Sequence, residues 1–212
     1  MEGTTNIEEV KLLFGNNFIG QDELKAISSL FPINIPSTLP YIPYSTHKLE
    51  QYAKDYILIL GSDKFKNNQP LNLLSLRERF GVSPEISEPC FYNQDWYMAE
   101  EFMKKTLDMK WYLLKKEVFF DTRAELPNKI LEKGIHFPSA ILCAYAFFAF
   151  YFARKEFLWY HDFIWCDDTD HNHDSIYVGK YNDIDGVNKN GFSIHRHLAL
   201  RNCYGAINSI KF

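Results

Sequence analysis

Apolar residues recur along this chain in runs of three kinds, and each kind predicts a different element. From residue 56 the sequence reads YILIL and closes on Gly61. A continuous apolar run of that length belongs to a strand buried on both faces. Residues 140–154, AILCAYAFFAFYFAR, follow Pro138 and Ser139 and are apolar nearly all round, which predicts a buried central helix. Between residues 31 and 44 the run FPINIPSTLPYIPY alternates apolar residues with Pro32, Pro36, Pro40 and Pro43. Prolines at that density exclude helix and central strand, so an extended segment crossing the body is expected.

Weaker periodicities fill in the rest. Thr5 and Glu8 form a candidate capping box ahead of Ile7, Val10 and Phe14, and Gly15 ends that helix. Residues 20–31 predict a second short helix with Leu24, Ile27 and Leu30 facing inward, and Ser45 caps a third through Leu49, Tyr52 and Ala53. Residues 61–70 are polar and predict a loop, and residues 71–90 show no single period. Asn93 or Asp95 opens a helix over 97–108, with Met98, Phe102 and Met109 on its core face and Glu100–Lys104 and Glu101–Lys105 pairs on its wet face. Strand-like pieces follow at 111–118, 163–166, 175–181 and 204–212. Helices early and strands late predict an α+β fold, its helical N-terminal part and buried central helix packed on a mixed or antiparallel sheet. No linker divides the chain, so 1–212 reads as one integrated domain, with a subdivision into 1–135 and 136–212 as the alternative.

Composition narrows the partners. The net charge of −4 lacks the broad basic field that nucleic acid requires, and the cluster Lys104, Lys105, Lys110, Lys115 and Lys116 alternates with Glu100, Glu101, Asp108 and Glu117. The four cysteines contain no CxxC pair, so a disulfide framework is not expected and a reducing compartment fits. The opening MEGTTNIEEV has no apolar core of a signal peptide, and the apolar stretch 140–153 falls short of the roughly 20 residues a bilayer takes. A cytoplasmic protein with no membrane partner is expected.

Candidate chemistry gathers in the last quarter. Asp168, Asp170, Asn172 and Asp174 place oxygen donors at every second position, as calcium loops do. An EF-hand would need glycine where His173 stands and glutamate where Gly179 stands, so a polar turn between strands is the competing expectation. Asp183, Asp185 and Gly186 repeat the theme weakly. In a strand, His195 and His197 point to one face. With Asp170, His171, His173 or Asp174 they would form a His/carboxylate site for zinc, iron or manganese, making a divalent metal the one candidate cofactor. Hydrolysis there needs a base such as Asp167 or Asp174 beside a metal-bound water. The competing expectation is that these histidines and Arg196 hydrogen-bond loop backbone. Trp165, Arg196, Arg201 and Tyr204 together form a candidate pocket for an anionic or sugar ligand. Cys166 sits in a buried strand and is not expected to act as a nucleophile. No GxGxxG, Walker A or GxSxG pattern occurs.

Several separated motifs carry a resemblance: FIGQDELKAI, IPYSTHKLEQYAKDYILILG, WYLLKK, and the tail WCDDTDHNHDSIYVGKY with GFSIHRHL and YGAI. They resemble a family of uncharacterised bacterial proteins in which a helix leads to a D-x-hydrophobic-L-x-G strand, a Trp-Tyr-Leu strand follows, and an acidic turn precedes a V-x-V-G strand. The likeness spans about residues 17–207 and implies one integrated unit, with no functional residue to carry over. The tail alone is also similar to the close of formylglycine-generating-enzyme and C-type-lectin-like modules, but the tryptophan- and asparagine-rich core of that fold is missing.

Two functions of different class are expected. The first is a non-enzymatic binding or interaction protein, taking a small polar ligand or a protein partner through the C-terminal loops 167–174, 183–189 and 195–201. The alternative is a metal-dependent hydrolase or nuclease built on the His/Asp cluster. A structural subunit of a larger bacterial or prophage assembly is the third, and it predicts an exposed apolar patch.

Overall fold

The computed structural model describes residues 3, 6–181, 191–196 and 200–210. Thr5, His197 and the loop 183–189 lie outside the described residues. Within them are six α-helices and two four-stranded mixed sheets, so the fold is α+β as the order of elements predicts.

The N-terminal part is helical. Helix α1 (Ile7–Phe14) buries Val10 and Phe14, and its N-cap is Asn6, whose Oδ1 accepts from the Glu9 N–H at 3.2 Å. Strand β1 (Phe18–Ile19) leads into α2 (Gln21–Ala26). Leu24 and Ile27 are buried, but Leu30 is 49% exposed, because the helix ends at Ala26 and turns carry Leu30 outward. The proline-rich segment is extended and buries Ile33 and Ile42 against the body. Ser45 caps α3 (Thr46–Glu50), which precedes β2 (Tyr56–Leu60), buried at every position.

Residues 71–90 contain a helix that periodicity missed. Helix α4 (Leu73–Phe80) opens on Asn72, whose side chain accepts from the Ser75 N–H at 2.9 Å while Ser75 Oγ accepts from the Asn72 N–H at 3.0 Å. The helix expected over 97–108 is absent. Turns and one 3₁₀ turn (Glu101–Lys104) stand in its place. Neither i,i+4 pair forms there: Lys104 binds Glu101, Lys105 binds Asp168, and Glu100 binds His171. Long-range partners outcompete pairs worth only about 0.2–0.5 kcal/mol on a helix surface. Of the expected core face, Phe102 is buried, Met98 is 37% exposed and Met109 is half-buried.

Strand β3 (Trp111–Lys115) pairs antiparallel with β2, and β2 pairs parallel with β1. After α5 (Pro127–Glu132) comes α6 (Ala140–Arg154), capped by Ser139 and ended by Lys155 in the left-handed region at φ 61. Every residue of α6 from Ala140 to Phe150 is buried. Strands β4 (Phe163–Thr169), β5 (Ser175–Tyr181), β6 (Gly191–His195) and the short β7 (Tyr204–Gly205) form the second sheet in the order β6-β5-β4-β7. The short β8 (Ser209–Ile210) returns to the first sheet, beside β3.

Helix α6 joins the two sheets. Its Tyr145 hydroxyl donates to the Leu60 carbonyl of β2 at 2.7 Å, and its Phe147 ring lies 5.1 Å from Phe192 of β6. The second sheet is buried on both faces. Ile164, Cys166, Ile176, Val178 and Ile194 join the main core with α6, while Phe163, Trp165, Tyr177 and Tyr204 form a smaller core on the other face with Ile130 and Phe137. This is the two-residue alternation of a strand made visible. No helix among the described residues is long and apolar enough to cross a membrane.

Candidate functional site

The acidic turn is a brace. Strand β4 runs on through Thr169, which places Asp168 two residues beyond the core residue Cys166 and against the start of α6. Its Oδ2 accepts from the Ala140 N–H at 2.7 Å, and its Oδ1 lies 2.5 Å from Lys105 Nζ. A carboxylate at a helix N-terminus satisfies an orphan N–H and meets the positive end of the helix dipole. Lys105 in turn has its pKa raised, chiefly by the hydrogen bond to Asp168.

Asp170 organises the hairpin turn itself. Its Oδ1 accepts from the N–H groups of Asn172 at 2.9 Å and Asp174 at 2.8 Å, and its Oδ2 lies 2.7 Å from Arg196 Nη1. Burial alone would push the Asp170 carboxyl up. The Arg196 guanidinium and the two backbone donors outweigh burial and hold it below the usual carboxylate range. Arg196 also lies over the Trp96 ring at 4.6 Å, and the Trp96 indole donates to the Ile194 carbonyl at 3.2 Å. Glu100, which is buried, accepts from the His171 N–H at 3.0 Å through Oε2, and its Oε1 lies 2.6 Å from His171 Nδ1.

Among the described residues, Asp168, Asp170, Asp174 and His195 do not gather into one ligand set. His195 pairs with Tyr177 across the β5–β6 ladder and stacks on its ring at 5.4 Å, on the face of the sheet opposite Asp168. Asp174 is half-buried and contributes backbone groups to the turn. His197 lies outside the described residues. A different trio meets the geometry of a metal site: the ligand atoms of Glu100, Asp170 and His171 lie within 4.8 Å of one another. Each of those carboxylates already accepts from protein donors, and Arg196 sits at the site. A unit positive charge at about 4 Å opposes an incoming cation by on the order of 4 kcal/mol at an effective dielectric of about 20.

The expected ligand residues are likewise dispersed. Trp165 and Tyr204 pack in the smaller core, Arg201 is exposed, and Arg196 is committed to Asp170 and Trp96. None of the four lines the clefts described next. The Cys166 thiol is pushed well up by burial and by neighbouring Cys143.

A cleft of about 880 Å³ lies away from the acidic hairpin. Its walls come from the turn after α2, the loop after β2, α4, residues 86–88 and the C-terminal end of α6. Phe65, Phe80, Tyr151 and Phe152 supply its aromatic lining, and Phe80 stacks on Phe148 of α6 at 4.3 Å. Arg79 spans two walls, donating from Nε and Nη2 to the Leu30 carbonyl at 3.2 and 3.1 Å. Two smaller clefts, of about 340 and 290 Å³, lie beside Trp159 and beside Ser139. Sequence reasoning missed the large cleft because its residues come from five separate segments, none with a local pattern.

No family model matches the chain, and no curated protein or solved structure does either.

Proposed function

We propose that this is a non-enzymatic binding protein whose ligand site is the cleft beside α4 and the end of α6. The observation that carries the reading is the cleft's own make-up: a volume of about 880 Å³, with aromatic rings and many polar side chains in its walls, Arg79 among them held in place by Leu30. Sites for small organic molecules are concavities of roughly 300–1,000 Å³ that join aromatic surface to positioned polar groups. The hairpin acids, in contrast, have their oxygens occupied by the Ala140, Asn172, Asp174 and His171 N–H groups and by Lys105 and Arg196. A fragment screen by ligand-observed NMR tests the proposal, run on the wild type and on Ser29→Trp, which fills the cleft from an exposed position. Fragments that bind the wild type and not the variant support the cleft; fragments indifferent to the variant rule it out.

A second reading, divalent-metal binding, is favoured by the approach of Glu100, Asp170 and His171 alone. Calorimetric titration with zinc and manganese decides it. Stoichiometric binding abolished by Glu100→Gln would establish a metal centre and revive a hydrolytic role.

A further inference from the structure

The cleft is asymmetric in charge. Lys66, Arg79 and Lys155 line it, and none of the three forms an ion pair among the described residues. Two carboxylates line it as well. Glu78 accepts from Gln69 Nε2 at 3.1 Å. Glu88 is neutralised from behind by Lys180, whose Nζ is 2.9 Å away on a side chain only 5% exposed. The C-termini of α4 and α6 also end here, each contributing about half a negative charge. Counting Lys180, four cations face two carboxylates and about one unit of helix-end charge, leaving roughly one positive charge. The chain as a whole carries −4.

Three of the cleft's four lining rings already face its own cations. The Arg79 guanidinium lies 5.8 Å from the Phe65 ring centre, and Lys155 Nζ lies 5.4 and 5.8 Å from those of Tyr151 and Phe152. A cationic ligand would find those faces taken and like charge beside them. Arg79 is fixed by its two bonds to Leu30, which leaves Nη1 for a ligand. Desolvation lowers the Arg79 pKa from its ordinary value, with no carboxylate to offset it. Leu30 and Ile86, 49% and 87% exposed, add apolar surface beside these charges.

Resting on the cleft as the ligand site, we infer that its ligand is a small organic anion. A phosphate or carboxylate head is held by Arg79, Lys66 and Lys155, and an apolar body lies along Leu30 and Ile86. Guanidinium and ammonium groups bind both heads through charge-assisted hydrogen bonds.

The test is binding of phenyl phosphate, benzoate, inorganic phosphate and benzylamine, followed by NMR with the Arg79 Nε–H resonance as a local reporter. An aromatic anion should bind at least about tenfold more tightly than inorganic phosphate or benzylamine. The tighter of phenyl phosphate and benzoate identifies the head. The double variant Lys66→Gln/Lys155→Gln, altering two exposed side chains, should weaken that binding about tenfold or more and leave melting unchanged. Arg79→Gln should weaken it too, but the Leu30 clamp makes the lysine pair the cleaner variant. Benzylamine binding best, or a double variant without effect, overturns the anionic head; inorganic phosphate binding as well as the aromatic anions overturns the apolar body, and with it the organic anion. If fragments are still lost in Ser29→Trp, the cleft reading survives that failure. If every probe and fragment binds without moving the Arg79 resonance and is indifferent to Ser29→Trp, the cleft reading itself falls.

Discussion

Asp168 and Ala140 stand 28 residues apart and meet at 2.7 Å, the carboxylate of one strand accepting the first N–H of the buried helix. Asp168 Oδ1 holds Lys105 at the same time, so one buried side chain ties β4, α6 and the turn after Phe102 together. A residue that spacing marks as a metal ligand is thereby a helix cap.

Asp168→Ala removes both partners and leaves the Ala140 N–H without its acceptor. The expected loss is about 2–4 kcal/mol of unfolding free energy, read from urea denaturation. Asp168→Asn keeps an oxygen for Ala140 and should lose about half as much. Equal losses in the two variants would mean that the ion pair, and not the cap, carries the effect.

Asp170 makes stability depend on acid. Its folded pKa is depressed below the ordinary 3.8, so its contribution is fully present above that value and is lost as pH falls through the folded pKa. The urea midpoint of the wild type should fall more steeply between pH 5 and 2 than that of Asp170→Asn, which has no such group to protonate. Parallel pH profiles would contradict the Arg196 and backbone contacts assigned to it.

Burial silences the thiols. Cys90 is pushed up to about 11 and Cys166 well above its ordinary value, while Cys203, half-buried, is raised by burial as well. Native protein at pH 8 should therefore react slowly with a thiol reagent, and first at Cys203, with all four cysteines reacting after unfolding. Fast native labelling of Cys90 or Cys166, located by peptide mass, would show that their surroundings open.

The join between the sheets can be tested at one atom. Tyr145→Phe removes the bond to the Leu60 carbonyl and should lower stability by about 1–3 kcal/mol, since a buried acceptor is orphaned. Phe148→Ala, which empties the contacts to Phe80 and Phe91, should lower it by about 3–5 kcal/mol. Near-neutral effects in both would mean that α6 does not join the sheets.

Where a segment's structure is decided locally or by burial on all sides, the sequence told it. YILIL became β2 and AILCAYAFFAFYFAR became α6, with Ser139 as its cap, because such runs have only one way to bury every face. The turn at Asp170 was legible for the same reason, an aspartate bonding backbone two residues on. Residues 97–108 failed because their fate lay elsewhere. Glu100 and Lys105 are drawn to His171 and Asp168, partners far along the chain that no helical spacing can reveal. His195 and Asp168 failed as a pair because β4, β5 and β6 put them on opposite faces of one sheet. Asn72 and Ser75 did signal α4, a capping pair across the first turn of an eight-residue helix that the surrounding prolines disguised.

The measurement that bears most directly on function is a backbone amide shift map of the protein titrated with phenyl phosphate and, separately, with zinc. Phenyl phosphate should shift only Leu30, Lys66, Arg79, Ile86 and Lys155, and zinc should leave the hairpin unmoved. Saturable zinc shifts at Glu100, Asp170 and His171, with the cleft silent to phenyl phosphate, would contradict both and move the active surface to the acidic hairpin.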